Sequence, residues 1–117
     1  MEAQELYLRA INLRNFQRII KNIYVDEFDN YENSHSGKGE SILQLDDKKP
    51  LGLGFHVYKV DPGGFSAPHE HTGVEQFILL KGDLSDNDGT EFKPGDFVLF
   101  KKGTQHNSFT KKGCLLV

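Results

Sequence analysis

His69 and His71 stand two residues apart, and Glu75 follows four residues after the second histidine. Imidazole and carboxylate side chains suit divalent transition metals. Spacing decides whether the two rings can share an ion. On a helix they would point about 200° apart, whereas on a strand they share one face. Pro68 on one side and the Thr72-Gly73 break on the other argue against a helix. Glu75 opens the next apolar run, with Phe77 and Leu79 on its face, so a return strand would bring its carboxylate beside the two rings. A further candidate is His106, just after Gly103, with Ser108 and Thr110 on its face.

The elements that must position these groups are short. Ten of the twelve glycines lie at or after Gly52. Between the turn residues sit apolar runs: Gly54 to Val60, Val74 to Leu80, Phe97 to Phe100 and Cys114 to Val117. Each has the length of a strand. The separators are Asp61-Pro62-Gly63-Gly64, Asp86-Asn87-Asp88-Gly89, Lys93-Pro94-Gly95-Asp96 and Lys101-Lys102-Gly103, all built from turn-forming residues. Short strands at this spacing predict an all-β barrel or sandwich, with no helix longer than two turns after residue 52. The first half is read as edge strands over 9–13 and 18–25, a polar surface loop over 29–39, and a strand from Ser41 to Leu45. No repeat and no linker divides the chain. One domain over 1–117 is expected, with 1–49 as N-terminal strands and loop and 50–117 as the core that carries the site.

Taken together, Gly63, His69, His71, Glu75 and Gly82 complete the pattern G-x5-H-x-H-x3-E-x6-G, the first motif of the cupin superfamily. The second motif, G-x5-P-x-G-x2-H-x3-N, is matched by Gly95, Gly103 and His106, with Lys101 at the Pro position and Thr110 at the Asn position. The wording of Asp83 to Gly89, Pro94-Gly-Asp, Gly103-Thr-Gln-His106 and Gly113-Cys resembles the ChrR-like cupin branch. The resemblance is strong over about 50–117 and loose before that. It implies a double-stranded β-helix, or jelly roll, in which His69, His71, Glu75 and His106 hold one divalent metal (Zn, Fe, Mn or Ni). Four such ligands leave one or two positions open on a six-coordinate ion, where a small chelating substrate could bind.

Other residues receive plainer readings. On Gly54 to Val60, His56 and Tyr58 share a face opposite Lys59, so they are expected to line the interior as pocket candidates. His35 lies in the polar loop and is expected in solvent. Cys114 reads as an inert buried thiol. The seven phenylalanines from Phe55 to Phe109 read chiefly as core. The paired lysines at 48–49, 101–102 and 111–112 read as solvated turn charges.

Composition narrows the functional classes. Fourteen basic and seventeen acidic residues give a formal charge of −3, which offers no broad basic face for nucleic acid. No apolar run approaches the roughly 20 residues of a membrane span, and no signal peptide is evident at the N-terminus. With one cysteine and no internal disulfide, a cytoplasmic setting is expected. Three classes remain. The first is a metal-dependent, dioxygenase-like enzyme acting on a small chelating molecule. The second is a zinc-binding sensor or ligand-binding module akin to the cupin part of ChrR-type anti-sigma factors. The third is a barrel whose metal is only structural. Pairing of edge strands into a homodimer is also expected.

Overall fold

The computed structural model describes residues 2–3, 18–31 and 37–117. Among the described residues eleven strands follow in chain order: β1 (Asp29–Asn30), β2 (Lys38–Gln44), β3 (His56–Phe65), β4 (His69–Glu70), β5 (Glu75–Gly82), β6 (Leu84–Asp86), β7 (Glu91–Phe92), β8 (Phe97–Phe100), β9 (Gln105–His106), β10 (Ser108–Phe109) and β11 (Cys114–Leu116). No helix occurs after residue 52, as the turn spacing requires.

Every pairing is antiparallel. The main sheet runs β7-β6-β10-β3-β11-β5-β8, with β2 and β1 continuing from β3, while β4 and β9 form a separate ladder. Two packing contacts show that the sheet curls into a barrel. Leu84 of β6 joins Val60, Phe77, Leu79 and Cys114 in one buried cluster, although β6 and β5 are not neighbours in the sheet. Phe92 of β7 and Phe100 of β8, at opposite ends of the strand order, bring their rings to 6.5 Å. Apolar burial closes the barrel between them.

Strand alternation sorts the side chains. In the β2–β3 register Glu40 faces Val60, Ile42 faces Tyr58 and Gln44 faces His56. Glu40, Ile42 and Gln44 are all buried. Alternation also corrects the reading of the phenylalanines as chiefly core. Phe77, Phe92 and Phe100 belong to the core or pack on it, but Phe55, Phe65, Phe97 and Phe109 are exposed. Phe65 and Phe109 are cross-strand partners, and Phe97 lies opposite Ile78 on the outer face of β5 and β8.

Three local expectations need correction. Asp61 to Gly64 is no turn but part of β3. The pairing with β2 shifts register between Lys38 and Glu40, and this bulge accommodates Pro62 and the left-handed Gly63 (φ 80°). Residues 18–25 form no strand, because the Asn22 carbonyl captures the amides of Val25 and Asp26, and its side chain captures that of Tyr24. Ile19, Ile20 and Val25, which suggested a strand, are exposed. Both ends of the segment read as a loop, 29–30 and 38–39, are strand. The expected strand over 9–13 and His35 lie outside the described residues. At Gly82, a motif position, φ is 90° and an added Cβ would sit 1.9 Å from the Gly113 carbonyl oxygen, so only glycine fits.

Candidate metal centre

The β4–β9 ladder sets His69 directly opposite His106. The pairing continues through His71 N–H to Thr104 O (2.9 Å) and Gly103 N–H to His71 O (2.8 Å). His71, two residues on from His69, therefore keeps its ring on the same face. The ring centroids lie 4.9 Å (His69–His71), 4.6 Å (His69–His106) and 4.8 Å (His71–His106) apart. One ligand atom from each residue lies within 4.8 Å of the other two.

What orients the rings is found at Nδ1. His69 Nδ1 is 2.7 Å from the Ala67 carbonyl oxygen, His71 Nδ1 is 3.0 Å from Glu75 Oε2, and His106 Nδ1 is 3.1 Å from Asp86 Oδ2. All three partners are acceptors, so hydrogen-bond geometry assigns the proton to Nδ1 in each ring and leaves the Nε2 lone pair for the centre. His71 Nε2 and His106 Nε2 then face each other across 2.7 Å. Two lone pairs at that distance repel unless a proton or a cation lies between them. Burial holds the His71 imidazole below the usual histidine range against the pull of Glu75, and His106 and His69 push in the same direction as burial. A cation is the better occupant. Two nitrogen ligands of one ion at about 2.1 Å stand roughly 3.0–3.4 Å apart, so the rings fit a metal with a shift of a few tenths of an ångström.

Aromatic walls hold the imidazoles. Phe100 stacks on His71 (5.3 Å, 7° between planes) and tilts against His106 at 4.4 Å. Glu75 and Phe100 are cross-strand partners on β5 and β8, so one register supplies both the carboxylate and the ring beside His71. The site opens on the side of His69, which is exposed, and Glu75, whose side chain is 46% exposed. His71 is only 7% exposed.

The other sequence candidates lie elsewhere. Tyr58 points inward, but its hydroxyl donates to Glu40 Oε1, and burial raises its pKa far above the ordinary tyrosine value. His56 Nδ1 bonds the Gly54 carbonyl at 2.8 Å, and the residue lines a small cavity to which none of the three imidazoles contributes. Cys114 is buried, and desolvation pushes its thiol up to about 11. Thr110, at the motif's Asn position, is fully buried and bonds Asp83 Oδ1 through its hydroxyl at 3.2 Å. It fastens the turn before β11 and touches no imidazole through that bond. Sequence reasoning misses Asp86, which reads as a turn-former beside Asn87 to Gly89. It is the last residue of β6, two along from buried Leu84 on the same inward face.

A family model described as the ChrR cupin-like domain matches residues 27–117. The chain belongs to this cupin family. No curated protein sequence gives a match. Among solved structures the cupin is similar to the polyketide cyclase RemF from Streptomyces resistomycificus, at 20% identity and TM-score 0.66, over 84% of this chain and 76% of that one. It is similar to an acetylacetone dioxygenase from Acinetobacter johnsonii, at 14% identity and TM-score 0.64, over 90% and 74%. A third match is the Rhodobacter sphaeroides complex of SigE with the anti-sigma ChrR, at 18% identity and TM-score 0.61, over 81% of this chain. The cupin spans about half the length of that matched chain (48%). At these identities the structural likeness shows a shared fold. The jelly-roll expectation is met. Among the described residues no helix is long and apolar enough to cross a membrane.

Proposed function

We propose that this cupin binds one divalent transition metal through Nε2 of His69, His71 and His106, and that the bound metal serves an enzyme acting on a small chelating molecule. The observation that supports this reading is that all three Nδ1 positions are engaged by acceptors, while one ligand atom from each residue lies within 4.8 Å of the other two. Glu75 is the carboxylate of the same site. As placed it secures His71, and its exposure leaves it room to turn toward the ion as the fourth ligand. When bound, the metal would supply Lewis acidity and an open coordination position. The chain's own residues orient the three imidazoles, keep water from the Phe100 side, and leave the His69–Glu75 side for a ligand to enter. Phe100 makes the wall beside His71 and His106 apolar, which suits a small organic acid or diketone better than a sugar. The exposed Phe97 and Leu99 on the outer face of β8 offer a surface for pairing two copies.

A second reading is supported by the family match itself: a zinc-binding sensor or ligand-binding module of the ChrR kind. Metal analysis of the purified protein, followed by an oxygen-uptake screen with small diketones and organic acids, separates the two. Metal-dependent oxygen uptake with one of these compounds is the result expected of the enzyme. Stoichiometric zinc in a closed four-ligand site, with no turnover for any metal or compound tested, would favour the sensor.

A further inference from the structure

Asp86 is a buried carboxylate, 5% exposed, and among the described residues its one ion-pair partner is His106. Burying an anion is costly unless its hydrogen bonds are made. Both oxygens of Asp86 are used: Oδ2 accepts from His106 Nδ1 at 3.1 Å, and Oδ1 accepts from the Ser108 hydroxyl. Backbone register enforces the arrangement, since Ser108 lies directly opposite Asp86 in the β6–β10 pair. Asp86 N–H also donates to Thr90 O at 2.9 Å, which closes the β6–β7 hairpin and fixes the carboxylate's origin.

The three imidazoles thus have unlike partners. His69 leans on a neutral carbonyl, His71 on a half-exposed carboxylate, and His106 on a buried one. From this difference the structure assigns Asp86 as a positioning residue of the metal centre, which holds His106 in its Nδ1–H form with Nε2 presented as the anchoring ligand. The assignment rests on the metal-binding reading above. A carboxylate behind a ligating imidazole fixes its tautomer and ring angle and raises its basicity, and losing such a partner typically costs 10–100-fold in metal affinity. Ser108 completes the device by keeping Asp86 from turning away.

Two readouts test this on the full chain. Zinc titration against a chromophoric chelator should show Asp86→Asn binding about 10–100-fold more weakly than wild type, with Ser108→Ala weakened by a smaller factor. Imidazole nitrogen NMR of metal-free protein should find His106 protonated at Nδ1 in wild type and shifted toward Nε2–H in Asp86→Asn, an effect that a merely structural role would not produce. Ser108→Ala carries both readouts should Asp86→Asn not fold. Wild-type zinc uptake with undiminished affinity and an unchanged His106 tautomer in the variants would overturn this inference alone. Wild-type protein that takes up no zinc would overturn the metal-binding reading and this inference with it.

Discussion

The inward face of β5 serves two ends of the barrel. At one end Phe77 and Leu79 join Val60, Leu84 and Cys114 in a dry cluster. At the other, Glu75 meets three imidazoles and the Phe100 ring. The two ends share strands but answer to different physics. Leu79 is fully buried and gains stability from each methylene removed from water. The imidazole end gathers buried nitrogens with opposed lone pairs, which cost free energy in the metal-free chain. Stability therefore belongs to the apolar end and binding to the polar end.

That division can be broken by substitution. The largest effect is expected from His71→Ala, which should abolish stoichiometric metal binding while leaving the thermal midpoint of the metal-free protein unchanged or raised. His35→Ala should retain all its metal. Elemental analysis and calorimetry read both outcomes, and equal metal retention in the two variants would dissolve the assignment. Next comes Leu79→Ala, which should cost about 2–5 kcal/mol of folding stability by denaturant titration. The folded fraction should still bind metal with wild-type affinity. A parallel loss of affinity at low denaturant would show that the two ends are not separable.

Acid should sharpen the contrast. Burial lowers the folded-state pKa of His71 below the ordinary 6.5, so protons favour the unfolded chain. Its contribution to stability is complete above about pH 6.5 and is lost as pH falls through the lowered value. Denaturation midpoints of metal-free protein should therefore fall on acidification below pH 6.5, and His71→Ala should flatten part of that slope. The smallest effect is expected from Glu75→Gln. As a half-exposed fourth ligand whose amide replacement can still offer an oxygen, it should cost only a few-fold in zinc affinity, less than Asp86→Asn. A loss as large as that of His71→Ala would instead show that the site depends on the Glu75 charge.

Much of this was legible in the residues. Period-two spacing placed His69 and His71 on one face, and the turn residues after Gly82 marked the strands that return His106 to them. Less legible was anything that depends on which strand lies opposite which. Asp86 looked like a turn residue because its neighbours Asn87 to Gly89 are turn-formers; only the β6–β10 register reveals its inward side chain. Phe97 and Phe100 are alike in sequence, yet one is exposed and the other stacks on His71, since an odd separation on a strand reverses the face. Ile19, Ile20 and Val25 have the side chains of a strand, but Asn22 supplied a local turn that periodicity could not weigh. His56 shares its face with Tyr58 as parity requires, and its own ring nitrogen bonds backbone two residues away.

The most direct test of the central claim is a crystal structure of the metal-loaded protein with anomalous scattering collected at the metal's absorption edge. The account predicts a single anomalous peak per chain within about 2.0–2.3 Å of Nε2 of His69, His71 and His106 together, with His106 Nδ1 still on Asp86. A peak elsewhere, or one that leaves any of the three Nε2 atoms beyond bonding distance, would contradict it.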